Sequence, residues 1–140
     1  MFRSVVVPID LAQPSSWSDA LPRGRELAGN GLVTVVAVIP DLGQAFESLE
    51  ASASAERMVA RSRKRLAEIV ESAAKTPGSM RQELRTGSIA HEIIQAAKTA
   101  HADLIVLSSG RPEATAEYPL GSNAAQVVRH APCSVLVLRR

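Results

Sequence analysis

Three short stretches of this chain hold residue types that can do chemistry together. Asp10 closes the run Ser4-Val5-Val6-Val7-Pro8-Ile9, so a carboxylate stands at the end of an apolar, β-branched segment. A second apolar run, ending at Val106-Leu107, passes into Ser108-Ser109-Gly110-Arg111-Pro112. Leu120-Gly121-Ser122 then opens a helical pattern. Gly121 permits close backbone approach and Ser122 can cap. The bare N–H groups of such a first turn, with the positive end of the helix dipole behind them, make a seat for an anion. Any capped helix offers the same amides, so the seat acquires meaning only if Asp10 and the stretch from Ser108 to Arg111 converge on it.

Other constellations fall short of chemistry. His91-Glu92-Ile93-Ile94-Gln95 has Gln95 where a zinc-protease helix needs its second imidazole. His101 and His130 lie at element ends without a ligand cluster, and no metal is expected. Cys133 precedes an apolar strand and has no acid–base partner nearby in sequence, so it reads as a small packed side chain rather than a nucleophile. Gly29-Asn30-Gly31 follows a helix and precedes a strand, the wrong side for a dinucleotide fingerprint. No general base or nucleophile is evident, and no catalytic residue emerges.

The positioning elements follow from hydrophobic patterning. Nearly continuous apolar runs at Ser4 to Ile9, Leu32 to Ile39, Asp103 to Leu107 and Ser134 to Leu138 alternate with helical-period segments, as in a parallel sheet covered on both faces. Met80 to Thr86 is a weaker strand. Arg81, Glu83 and Arg85 alternate with Met80, Gln82 and Leu84, which suits a half-exposed edge. Four helices are expected. The first follows caps at Ser15 and Ser16, has Pro22 in its first turns and stops at Gly29. The second runs from Ala51 to Lys75, with Arg57, Arg61 and Arg65 on a solvated face. The third is capped by Ser88 and turns Ile89, Ile93, Ile94 and Ala97 inward. The fourth spans Asn123 to His130, with Ala124, Val127 and Val128 facing the sheet. The stretch from Asp41 to Ser54 reads as a connection able to fold over a site. This β-α-β order, with right-handed crossovers, predicts one doubly wound α/β domain over 1–140, with a switch point beside the first strand.

Composition narrows the partners. The chain has 140 residues, 16 basic against 14 acidic, and 3% aromatics, so neither a polycation nor a base-stacking platform is present, and nucleic acid is not expected. No apolar run approaches a membrane span, no secretion signal is visible, and a lone cysteine suits a reducing, cytoplasmic setting.

Over essentially its whole length the chain resembles the universal stress protein family. The resemblance is carried by Val6-Val7-Pro8-Ile9-Asp10, Gly87-Ser88-Ile89, Ala102-Asp103-Leu104-Ile105-Val106, Leu120-Gly121-Ser122, and the closing Val127-Val128-Arg129-His130-Ala131-Pro132-Cys133-Ser134-Val135-Leu136-Val137. It implies a five-stranded parallel sheet ordered 3-2-1-4-5, a homodimer paired through the last strand, Ser134 to Leu138, and in one branch ATP or AMP in the crevice, with magnesium beside a triphosphate. Carried over by position, Pro8, Asp10 and Val38 would line the adenine and ribose side, and Gly121 and Ser122, followed by Asn123, the phosphates. The nucleotide branch carries G-x-x-G, nine residues, then G-[ST]. Here Ser108 and Arg111 stand at the first two glycine positions, with Gly110 displaced by one. Side chains at those positions crowd a phosphate, yet serine donates a hydrogen bond and arginine forks onto phosphate. Three readings of the crevice follow: an adenine-nucleotide-binding regulatory homodimer in stress adaptation, a dimerisation and interaction module without nucleotide, or, at most as an enzyme, slow nucleotide hydrolysis or phosphoryl transfer.

The last strand supports pairing on its own account. Ser134 to Leu138 is uncharged and apolar, a hazard at an open sheet edge that a second copy or a helix of the same chain would remove.

Overall fold

A computed structural model describes residues 2–40, 48–74, 79–109 and 120–139. The strands are β1 (Ser4–Ile9), β2 (Leu32–Ile39), β3 (Met80–Thr86), β4 (Leu104–Ser109) and β5 (Ser134–Arg139). They form one parallel five-stranded sheet in the order β3-β2-β1-β4-β5. The helices are α1 (Ala20–Ala28), α2 (Leu49–Ala73), α3 (Ile89–Thr99) and α4 (Ser122–His130), with a 3-10 turn at Pro14–Ser16.

The alternation of side chains along the strands sorts the core into two layers. Val5, Val7, Val33, Val35 and Val106 pack with Leu21 of α1 and Leu66 of α2 on one face. Val6, Val36, Ile105 and Leu107 pack with Ala90, Ile93 and Ala97 of α3 and Val127 of α4 on the other. β1 is central, and Val5, Val6 and Val7 are all fully buried, which is why its sequence shows no polar alternation. α1 reaches β1 closely at Gly24, where an added Cβ would lie 2.7 Å from a γ-carbon of Val7.

Several boundaries differ from expectation for identifiable reasons. Ser15 and Ser16 do not cap α1: the 3-10 turn intervenes, and Ser16 bonds instead to the backbone of Asp10. Pro22 does fall in the first turn of α1, and Gly29 ends the helix at φ 56°. α2 begins at Leu49 because Ser48 accepts a hydrogen bond from the Ala51 N–H at 3.0 Å, so the expected connection from Asp41 to Ser54 is already helix over its last part. Residues 41–47 lie outside the described residues, as does the expected end of α2 at Lys75. β4 starts one residue later and runs two longer than expected, through Ser108 and Ser109. Asp103 stays outside it, its carboxylate accepting the Arg3 and Ser4 N–H groups at 2.9 and 3.0 Å. Those bonds, first that from Arg3, hold its pKa below the usual carboxylate range. β5 extends to Arg139. Val128, expected on the sheet side of α4, is 46% exposed.

Candidate functional site

The chain leaves β1 toward one side of the sheet and leaves β4 toward the other, so a crevice opens at their carboxyl ends. A cavity of ≈220 Å³ occupies it. Its floor is apolar: Pro8 of β1, Val36 and Val38 of β2 and Leu107 of β4 meet Ile89 and Ile93 of α3 and Val127 of α4. Its mouth is polar, formed by Asp10, Gln13, Ser108, Ser109, Gly121 and Asn123. An apolar slot with few convergent polar groups is the usual form of a small-molecule site.

The mouth is built locally. Pro8 and Ile9 end β1, and the chain folds back at once. The Asp10 N–H donates to Ser16 Oγ at 2.9 Å, Ser16 Oγ donates to the Asp10 carbonyl at 3.1 Å, and the Gln13 N–H donates to that carbonyl at 2.9 Å. Asp10 Oδ1 accepts the Ala12 N–H at 2.9 Å, an Asx-type turn that fixes the carboxylate at the rim. Ser16 is itself buried, so the loop is anchored rather than draped.

Opposite this carboxylate, α4 starts. Gly121 is its N-cap, in extended conformation, and among the described residues no side chain caps the first turn. Ser122 was expected to cap. It is instead the first helical residue, exposed, and away from the cavity lining, because the backbone turns into the helix one residue earlier than the hydroxyl requires. The Gly121 N–H makes a long 3.4 Å donation to Ser109 Oγ, tying the helix start to the end of β4. Ser108 lines the cavity, and its Oγ is buried without a hydrogen-bond partner among the described residues, a state that buried hydroxyls rarely keep without water or ligand.

Of the residues singled out in the sequence, Pro8, Asp10, Val38, Ser108, Gly121 and Asn123 share this cavity. Gly110 and Arg111 lie outside the described residues. Ser109, Ser16 and Gln13 join them without having been assigned to the site. Ser109 could have been found from its place beside Ser108 at the end of a strand, whereas Ser16 reaches Asp10 through a turn no pattern announces. The floor residues from α3 and α4 look like ordinary core in sequence. Among the described residues no group of three or more His, Cys, Asp or Glu gathers as metal ligands. None of the described helices is long and apolar enough to cross a membrane. Cys133 is half-buried in the α3–α4 layer, and burial, with the Asp103 carboxylate, raises its pKa, which disfavours a reactive thiolate.

Comparison with known proteins agrees with this architecture. A model described as the universal stress protein family matches residues 1–139. Universal stress protein G of Shigella flexneri is 30% identical over 145 aligned positions, covering 99% of this chain and 100% of that protein. A universal stress protein solved in complex with cAMP superposes with a TM-score of 0.66 at 20% identity, covering 99% of this chain and 97% of that one. An Arabidopsis thaliana family protein solved with AMP bound gives a TM-score of 0.63 at 19% identity, with 99% and 92% covered. At such identities the structural likeness establishes the fold alone.

Proposed function

The chain belongs to the universal stress protein family, and from that premise we propose that it is a small regulatory protein that binds an adenine nucleotide in the crevice above β1 and β4. It works as a homodimer paired through β5, in the cytoplasm, during stress adaptation. Its output is occupancy-dependent shape, not turnover. The observation that carries the ligand is the convergence of an apolar slot, the Asp10 carboxylate and the bare start of α4 on one ≈220 Å³ cavity. A purine fits between Val38 and Pro8 on one side and the α3–α4 wall on the other. A ribose hydroxyl donates to Asp10. Phosphate faces Gly121 and Asn123, where the first-turn amides and the helix dipole favour negative charge. Ser108 Oγ gains the partner it lacks. Two neighbours with cAMP and AMP bound agree with this ligand class.

The β5 pairing rests on its half-exposed apolar residues. Val135, Leu136, Val137 and Leu138 are each only partly buried, two on each face of the sheet. A second copy placed edge to edge continues the hydrogen-bond ladder and covers both faces.

A second reading, a non-binding interaction module, is favoured by one observation. Ser108 stands where the nucleotide branch carries glycine, and ≈220 Å³ is small beside the roughly 300–1,000 Å³ usual for ligand pockets. Melting the protein with ATP, AMP or cAMP, with and without magnesium, separates the two. The nucleotide reading expects an upward shift that Gly121→Leu and Asp10→Ala remove. A flat response to all three ligands, with a folded dimer confirmed by mass, selects the module instead.

A further inference from the structure

The opposite edge of the sheet carries a second surface, independent of the crevice. Among the described residues, β3 hydrogen-bonds β2 and no other strand. The Ser79 carbonyl accepts the Val33 N–H at 3.4 Å, and the Gly87 N–H donates to the Ile39 carbonyl at 3.0 Å. Along a strand, successive residues turn their N–H and C=O to opposite sides, so the odd-numbered residues of β3 face β2. The even-numbered residues Met80, Gln82 and Leu84 turn theirs to the free edge. No hydrogen bond among the described residues reaches those outward groups.

Beside this open edge runs a groove of ≈600 Å³ between the flank of α2 and Gln82. Its floor is small and apolar, with Ala55, Val59 and Ala67, and its rim carries Arg63 and Lys64 against a single acid, Glu56. The surplus charge extends beyond the groove. Arg57, Arg61, Arg63, Lys64 and Arg81 are exposed and make no ion pair among the described residues. By contrast, Arg85 is engaged by both Glu83, at 2.9 Å, and Glu92, at 3.1 Å, so its charge is already spent on that cluster, whose two carboxylates outnumber its one guanidinium. Cations therefore flank the free edge on both faces of the sheet. Arg63 and Lys64 lie on the α2 side, with Met80, Gln82 and Leu84, and Arg81 lies on the other.

We propose that the β3 edge and the basic flank of α2 form a docking site for an extended acidic segment of a partner protein, which joins the sheet as an added strand. Main-chain bonds to Met80, Gln82 and Leu84 supply affinity in the manner of strand addition. Carboxylates at alternate positions of the segment face α2 and reach Arg63 and Lys64, while the small side chains between them turn to the Arg81 face. The open edge selects an extended backbone, and the unpaired cations select its sign.

The test uses the whole chain and a capped, labelled peptide alternating glutamate with valine and threonine, with its lysine-for-glutamate counterpart as control. The glutamate peptide is expected to bind, to weaken with added salt, and to slow amide exchange at Met80, Gln82 and Leu84; the lysine peptide is expected not to bind. Arg63→Glu with Lys64→Glu should weaken the glutamate peptide about tenfold, since two rim pairs contribute together roughly that much. Gln82→Pro removes an outward N–H that the fold does not use, a substitution edge strands tolerate, so melting should hold while binding is lost. Equal binding of both peptides, binding that leaves the β3 amides unprotected, or a folded Gln82→Pro protein of unchanged affinity each overturns the proposal. Protection of those amides that rises with protein concentration, without peptide, assigns the edge to a second copy and overturns it too. If Gln82→Pro does not fold, the charge-reversed pair still decides.

Discussion

The two edges of this sheet solve the same problem in different ways. β3 alternates charged and uncharged residues, is covered on one face by α2, and ties itself to α3 through the Glu83–Arg85–Glu92 ion pairs. β5 has four consecutive apolar residues, each half-buried, and next to it Val128 leaves 46% of its surface in water. Among the described residues, each pairs with a neighbouring strand on one side only. Alternating charge makes an edge that persists in water and resists indiscriminate stacking, whereas an apolar edge is stable only when covered. The same fold thus presents one edge that is apolar along its length and one that carries alternating charge.

The contrast can be broken most forcefully at β5. Val137→Lys with Leu138→Lys should raise the dimer dissociation constant by about two orders of magnitude or more, since charge replaces apolar anchors at the centre of the contact. Sedimentation should then report a monomer that is still folded, and a mass that stays dimeric refutes pairing through β5. The converse change makes β3 resemble β5. Arg81→Val with Gln82→Val should produce concentration-dependent association visible as turbidity or a larger scattering mass, because an alternating charge has become an apolar strip. A clear solution at high concentration would show that α2 alone protects this edge.

Smaller effects sharpen the comparison. Arg85→Met leaves Glu83 and Glu92 facing each other, with side chains only 30% and 20% exposed, and should cost about 1–3 kcal/mol in denaturant unfolding. Added salt should recover part of that loss by screening the carboxylates, whereas a Leu136→Ala loss at β5, from apolar contact, should not be recovered this way. The smallest effect is expected at Asp103, near the start of the β5 side of the sheet. Its pKa is lowered chiefly by the Arg3 N–H bond, so the stability it contributes is complete above the ordinary carboxylate range and is lost as pH falls through the lowered value. Asp103→Asn should therefore flatten the acid limb of a melting-temperature profile slightly, and an unchanged limb would place the acid sensitivity elsewhere.

Much of this was legible in the residues. The buried strands β1, β2 and β4 could be read from uninterrupted Val, Ile and Leu because a strand covered on both faces has no reason to alternate. β3 was legible as an edge from its alternation. Pro8 and Asp10 could be placed at the crevice because the end of a strand is a local event. Less accessible were the start of α2, set by a single Ser48 cap inside a polar stretch, and the exposure of Val128. Ser16 has the residue type of a helix cap. Its bond to Asp10 requires the 3-10 turn that Pro14 begins.

By itself, the amino-acid sequence determined the elements, their layering and the two candidate arms of the site, since hydrophobic period and strand-end chemistry act over a few residues. Tertiary structure alone decided that Asp10, Ser108 and Gly121 face one cavity and that Arg63 and Lys64 flank the open side of β3. Those placements depend on how distant segments cross and which hydrogen bonds they spend on one another, and no window of the chain contains that information.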